Sequence, residues 1–114
     1  MTHLLGFDQL IFASPVYWYS VSPAMKIFLD RICDYLEIPE LLDQWRRLRG
    51  KTGFVLCTSI MEAPDPPFID AFQQTFEYLG MRHGGYLHAN CVDGYLAEKC
   101  EPDAAEFLVR VQSV

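Results

Sequence analysis

No apolar run in this sequence approaches the roughly twenty residues that a membrane-spanning helix needs. Its opening stretch, MTHLLGFDQL, has no basic segment leading into an apolar one, so no secretion signal is expected. Basic charge is scarce as well. Nine Lys and Arg stand against fifteen Asp and Glu, for a net charge of −6, which argues against electrostatic binding to nucleic acid or to an anionic membrane surface. A small anionic ligand held by local backbone donors is still compatible with that balance. The cysteines, Cys33, Cys57, Cys91 and Cys100, form no CxxC pair, and His3, His83 and His88 lack metal-ligand spacing. Cys57 and Cys91 fall in strand-like segments, where a free thiol is most simply a small buried hydrophobe. Reducing, cytoplasmic surroundings are the default expectation. Repeats and low-complexity tracts are absent too.

What is present is an ordinary globular balance. The 114 residues are 51% hydrophobic and 21% charged, enough for one domain to bury a core without disulfides. Three runs read as strands, near Phe7–Ala13, Gly53–Thr58 and Tyr86–Cys91, the first suited to cover on both faces and the second buried. Helices are expected near Pro23–Leu36, Pro66–Leu79 and Asp103–Gln112. Ser22-Pro23 and Asp65-Pro66 have the form of N-cap and N1 pairs. Met25, Phe28, Leu29, Ile32, Cys33 and Leu36 make one helical stripe, and Phe68, Phe72, Phe76 and Leu79 another. Gly80 is placed for a left-handed C-cap, with Met81 packing back on the last turn. Residues 40–49 read as a short connector whose RRLR is most simply a solvated surface. Residues 92–101 are ambiguous, and Pro102 is expected to open the last helix, with Phe107, Leu108 and Val111 as its buried side. The order β-α-β-α-β-α calls for a parallel sheet with right-handed crossovers.

In an open parallel sheet, ligands bind outside the carboxyl ends of the strands. Two loops sit there: SPVYWYS after the first strand and TSIMEAPDP after the second. The first offers aromatic faces, a stiffening proline and backbone amides. The second offers the hydroxyls of Thr58 and Ser59. Together they suit a flat apolar ring with polar edges. Equally, Tyr17, Trp18 and Tyr19 could roof the core or form a protein interface, since aromatics are enriched there too.

The block SPVYWYSVSPAMKIFLDRI, preceded by DQLIFA and followed by LRGKTGFVLCTS, resembles flavodoxin-like NAD(P)H-dependent FMN reductases and quinone reductases. Lys26 and Asp30-Arg31, the Gly50-Lys51 pair and Gly80-Met81 match the family pattern as well. The resemblance implies a three-layer flavodoxin-like α/β fold, with residues 1–114 forming a partial domain that corresponds to the family's third, fourth and fifth strands. It implies FMN as cofactor and NAD(P)H as co-substrate. Ser14, Pro15, Val16, Tyr17, Trp18 and Tyr19 would line the flavin ring, facing Thr58, Ser59, Ile60 and Met61 in the second loop. The flavin carries such chemistry, so no catalytic side chain is required.

The sequence departs from the family in two respects. It contains no counterpart of the first strand and its Ser/Thr-rich or Gly-Ser phosphate loop, so flavin reductase or quinone reductase activity is expected to be impaired. The second loop has Ile60-Met61-Glu62-Ala63 where relatives have glycines, and Glu62 and Asp65 bring negative charge close by. The alternative is a non-catalytic remnant that serves as a structural or protein-interaction module. Phe7–Ala13, central in the full fold, would here be an apolar edge with no proline and no lysine to blunt it, which leads to the expectation of a homodimer.

Overall fold

A computed structural model describes residues 2–114. Among them, strands β1 (Gln9–Pro15), β2 (Thr52–Ser59) and β3 (Arg82–Asn90) form a parallel sheet in the order β1-β2-β3. Parallel neighbours need long crossovers. Here these are α1 (Pro23–Glu37) with a 3-10 turn and the short α2 (Leu42–Arg46), and then α3 (Pro66–Leu79). A last helix, α4, spans Ala97–Gln112. No helix of the described residues is long and apolar enough to cross a membrane.

The two faces of the sheet are covered unequally. On one face Leu10, Phe12, Val55 and Cys57 meet Ile32 of α1 and Phe68, Phe72, Phe76 and Leu79 of α3. Phe12 lies at the middle of the ring cluster, with centroids 6.2 Å from Phe28, 6.0 Å from Phe72 and 5.2 Å from Phe76. On the other face Phe54 packs edge-on against Phe107 of α4 at 5.7 Å, with Val111 and Leu87 beside it. This cover does not extend across β1, where Ile11 is 50% exposed and Ala13 is also open. The expectation of a first strand covered on both faces is therefore corrected: its apolar run is buried on one side only.

Local chemistry explains most helix ends. Ser22 caps α1 by accepting the Met25 N–H at 3.2 Å, with Pro23 next. Gly80 ends α3 at φ 74°, and Met81 N–H donates to Phe76 C=O at 2.8 Å, the two marks of a left-handed cap. Asp65 holds the N-cap position of α3, but its side chain makes no capping bond, contrary to expectation. The helix is held by burial instead. Each fully buried phenylalanine contributes about 1.5–3 kcal/mol, against about 0.3–0.5 kcal/mol for an exposed pair such as Lys26–Asp30.

Three further expectations are revised. β3 begins at Arg82 because its glycines admit a neighbour: a Cβ on Gly84 would lie 2.3 Å from the Phe54 ring. α4 begins at Ala97, with Pro102 inside it. The amide that proline lacks would have served the carbonyl four residues back, in an exposed first turn where water can take its place. Cys33 and Leu108, expected inside, are exposed, since each helix touches the sheet along a narrow stripe. Lys51 is nearly buried, with no carboxylate partner among the described residues. Its ammonium donates to the carbonyls of Leu5 at 3.1 Å and Phe7 at 2.5 Å and so pins the segment before β1.

Candidate functional site at the carboxyl ends of β1 and β2

The aromatic loop is a built turn. Val16 N–H continues the ladder by donating to Thr58 C=O at 2.9 Å. Tyr17 and Ser20 then exchange both backbone bonds, at 2.8 and 3.0 Å. Between them Trp18 and Tyr19 both have positive φ, 49° and 67°. This is the type I′ pattern, whose usual occupants are Asn and Gly. For residues with a Cβ the left-handed conformation costs roughly 1–2 kcal/mol each. Ser14, buried below, fixes the ends of the loop: its hydroxyl accepts the Ser22 N–H at 2.9 Å and donates to Pro15 C=O at 2.8 Å. The result is an aromatic tip in which Trp18 is 92% exposed, with Tyr17 and Tyr19 more than half exposed.

The second loop faces it. Pro15 to Tyr19 and Thr58 to Met61 line one open cavity of about 890 Å³, joined by Asp65 and Cys91. Nine of the ten residues expected from the sequence thus share one wall-to-wall space; the tenth, Ser14, lies beneath it and holds the loop. The lining combines aromatic faces, the apolar Val16, Ile60 and Met61, and the hydroxyls of Thr58 and Ser59. A flat ring with polar edges fits that combination. A phosphate does not. Asp65, which begins α3, is the charged side chain among the described lining residues, and Pro66 and Pro67 remove two of the N-terminal amides that would otherwise bind an anion. No group of His, Cys, Asp or Glu among the described residues is placed to hold a metal ion.

Sequence reading missed the residue behind the second loop. Ser59 Oγ lies 2.6 Å from His88 Nε2 and accepts the Met61 N–H at 3.2 Å. Parallel register makes this possible by pairing Cys57 with His88, and one sequence does not reveal register. Burial pushes the His88 pKa below its ordinary value. Cys57 faces the core, and burial raises its thiol pKa to about 11. Cys91 lies just past β3 and is half-buried, with its Sγ 3.7 Å from Ala89 C=O.

Known proteins share this architecture. A solved structure titled as the Trp repressor binding protein from Bacillus subtilis superimposes with a TM-score of 0.77 over 99% of this chain and 68% of that one, at 24% identity. YwqN of Bacillus subtilis (strain 168), provisionally named an NAD(P)H-dependent FMN-containing oxidoreductase, is 31% identical over 83 residues. That match takes in 68% of this chain but 44% of YwqN, so the chain spans less than half the length of this relative. The family model described as a flavodoxin-like fold matches residues 1–113. Sheet order, helix placement and this match extend over essentially the same residues, and the chain belongs to the flavodoxin-like fold family.

Proposed function

We propose that this chain is the ring-binding part of an FMN-dependent NAD(P)H oxidoreductase of flavin reductase or quinone reductase type. One observation carries the reading: a strained aromatic turn and a hydroxyl-bearing loop, adjacent through β1 and β2, wall the same cavity. Strain at a solvent-facing tip has no folding benefit, and such strain concentrates at functional sites. Pro15, Val16, Tyr17, Trp18 and Tyr19 would hold one side of the isoalloxazine ring. Thr58, Ser59, Ile60 and Met61 would hold the other, with Ser14 keeping the first loop in place. When bound, the flavin supplies the redox chemistry, taking hydride from NAD(P)H and passing it to a flavin or quinone acceptor. The side chains here orient the ring and keep water from one face of it.

Affinity for FMN is expected to be low. Charge-assisted bonds to a phosphate are worth roughly 1.5–3 kcal/mol each, and the described residues around the cavity offer none. Absence of several such bonds weakens binding by powers of ten. Titration of the chain with FMN, followed by quenching of Trp18 fluorescence in a Trp45→Phe background, tests the assignment. Saturable quenching is expected, and Trp18→Ala should weaken FMN binding measured by flavin fluorescence. Equal affinity in the two chains refutes the assigned site.

A second reading, a non-catalytic interaction module, is favoured by the β1 edge. Thr52 N–H bonds Asp8 C=O, and Val16 N–H bonds Thr58 C=O. By the alternation of a strand, Gln9, Ile11 and Ala13 therefore direct their backbone groups away from β2. No charged residue interrupts QLIFASP to blunt that edge. A homodimer built on this edge is our proposal under either reading. Light scattering that finds a monomer at micromolar concentration excludes it. Cytoplasmic location belongs with the enzyme reading, in which free thiols and a reduced nicotinamide share one compartment.

A further inference from the structure

We propose that His88 is a positioning residue for the ring-side cavity, deciding whether the Ser59 hydroxyl points inward or is offered to an acceptor on the bound ring. This rests on the cavity reading above. Ser59 lines the cavity. Its oxygen has two lone pairs and one hydrogen. One lone pair takes the Met61 N–H, and the contact with His88 Nε2 at 2.6 Å uses either the hydrogen or the second lone pair.

The choice depends on where the imidazole carries its hydrogen. His88 also borders two clefts of about 230 and 170 Å³ that share Glu62 and Asp103. We assign the hydrogen of the neutral ring to Nδ1, which leaves the Ser59 hydroxyl as the donor across the 2.6 Å contact. Nε2 is then an acceptor, and Ser59 O–H donates to it. The hydroxyl offers nothing to a ligand in this state. A proton added at Nε2 reverses the bond. The imidazolium donates to Ser59 Oγ, both lone pairs of that oxygen are filled, and the Ser59 hydrogen turns to the open side, which is the cavity.

The titratable groups that share these clefts with His88 come from two loops and one helix. Glu62 comes from the loop after β2, Asp93 from the turn after β3, and Lys99, Asp103, Glu106 and Arg110 from α4. Burial lowers the pKa from 6.5, so the neutral ring prevails at pH 7 and the switch lies on the acid side.

A ligand with carbonyl acceptors should therefore bind more tightly as pH falls through the His88 transition. Riboflavin is the suitable probe, since it lacks the FMN phosphate, which titrates in the same range. One added neutral hydrogen bond corresponds to about a twofold to tenfold gain in affinity. Binding is measured by flavin fluorescence between about pH 5 and 8, with Ser59→Ala and His88→Phe alongside. Ser59→Ala should lose the pH dependence and stay at the weak plateau. His88→Phe, with no nitrogen to occupy the hydroxyl, should lose it and stay at the tight plateau. A merely structural role would weaken both.

Imidazole nitrogen NMR of the ligand-free chain is the independent readout and should show His88 neutral with its hydrogen on Nδ1 at pH 7.5. Hydrogen on Nε2 at that pH overturns the proposal whatever binds. So does riboflavin affinity that is flat across the range, or a Ser59→Ala variant that keeps the native slope. Absence of riboflavin binding at every pH overturns the cavity reading and the proposal with it, whereas flat binding removes only the role of His88. Should His88→Phe fail to fold, the native and Ser59→Ala profiles still decide the matter.

Discussion

Replacing Trp18 by asparagine should separate folding from binding. Trp18 sits at φ 49° with 92% of its surface open. A residue with a Cβ in this conformation costs roughly 1–2 kcal/mol, and asparagine is among those that tolerate it best. The indole buries under a tenth of its surface, on the order of 20 Å², so its removal forfeits about 0.5 kcal/mol at 25 cal/mol per Å². Trp18→Asn should therefore gain about 0.5–1.5 kcal/mol, a rise of several degrees in Tm for a domain of this size. Trp18→Ala keeps the strain and loses the same small contact, so it should fall slightly below the native chain. Both variants should lose affinity for FMN. Urea denaturation monitored by circular dichroism gives the stability order, expected to be asparagine, then tryptophan, then alanine. Should both variants lose more than about 1 kcal/mol, Trp18 contributes packing and the strain argument fails. An asparagine variant that gained stability but bound FMN normally would refute the binding role alone.

Gly53→Ala would place a Cβ 2.6 Å from the Phe76 ring, so a loss of about 1–3 kcal/mol is expected in denaturant titration. Phe76→Leu in the same chain should recover part of it, and strict additivity of the two losses would contradict the contact. Iodoacetamide at pH 8 should label exposed Cys33 in the native chain but reach Cys57 only after unfolding, because burial holds that thiol near pKa 11; equal labelling rates by peptide mass spectrometry would refute this. Burial lowers the pKa of both His83 and His88 from 6.5. Below pH 6.5 the unfolded chain binds more protons than the folded one, so stability should fall as pH drops from there and be insensitive to these residues above about pH 7.5. Replacing both by Gln should flatten that slope in urea titrations at pH 5 and 7; an unchanged slope would show that other groups cause it.

Strand order and the buried faces of α3 were legible because they rest on local signals: apolar runs, a stripe at helical spacing, and Ser-Pro and Gly punctuation. Nine of the ten expected site residues line one cavity for a similar reason, since two loops at the carboxyl ends of adjacent parallel strands must be neighbours. What stayed hidden depends on partners distant in sequence. The two glycines of β3 give no sign of what lies over them: the Phe54 ring occupies the space beside Gly84, and the Arg110 side chain that beside Gly85. Pro102 looks like a helix start because the solvation of the preceding turn is not written in its neighbours. Asp65 looks like a cap, yet no capping bond forms from its side chain. His88 has no motif. Its significance arises from register across β2 and β3, which places its ring against Ser59.

The unequal covering of the sheet has a consequence for how the molecule breathes. α4 is joined to the rest through Phe107 and Val111, and through the Gln9 amide, which donates to the carbonyls of Val111 at 2.7 Å and Val114 at 3.1 Å. The opposite face is held by a far larger interlocked set of rings and aliphatic chains. Opening free energies follow such differences in buried contact. Amide hydrogens of α4 should therefore exchange with solvent in a separate, faster step than those of β2 and α3, at a free energy well below that of global unfolding. Each such opening would bare Phe54, which is otherwise fully enclosed at the middle of the sheet. The same excursion would open the clefts that α4 and His88 share and let water reach that ring, so exchange in the last helix and protonation behind the cavity are expected to report on one motion.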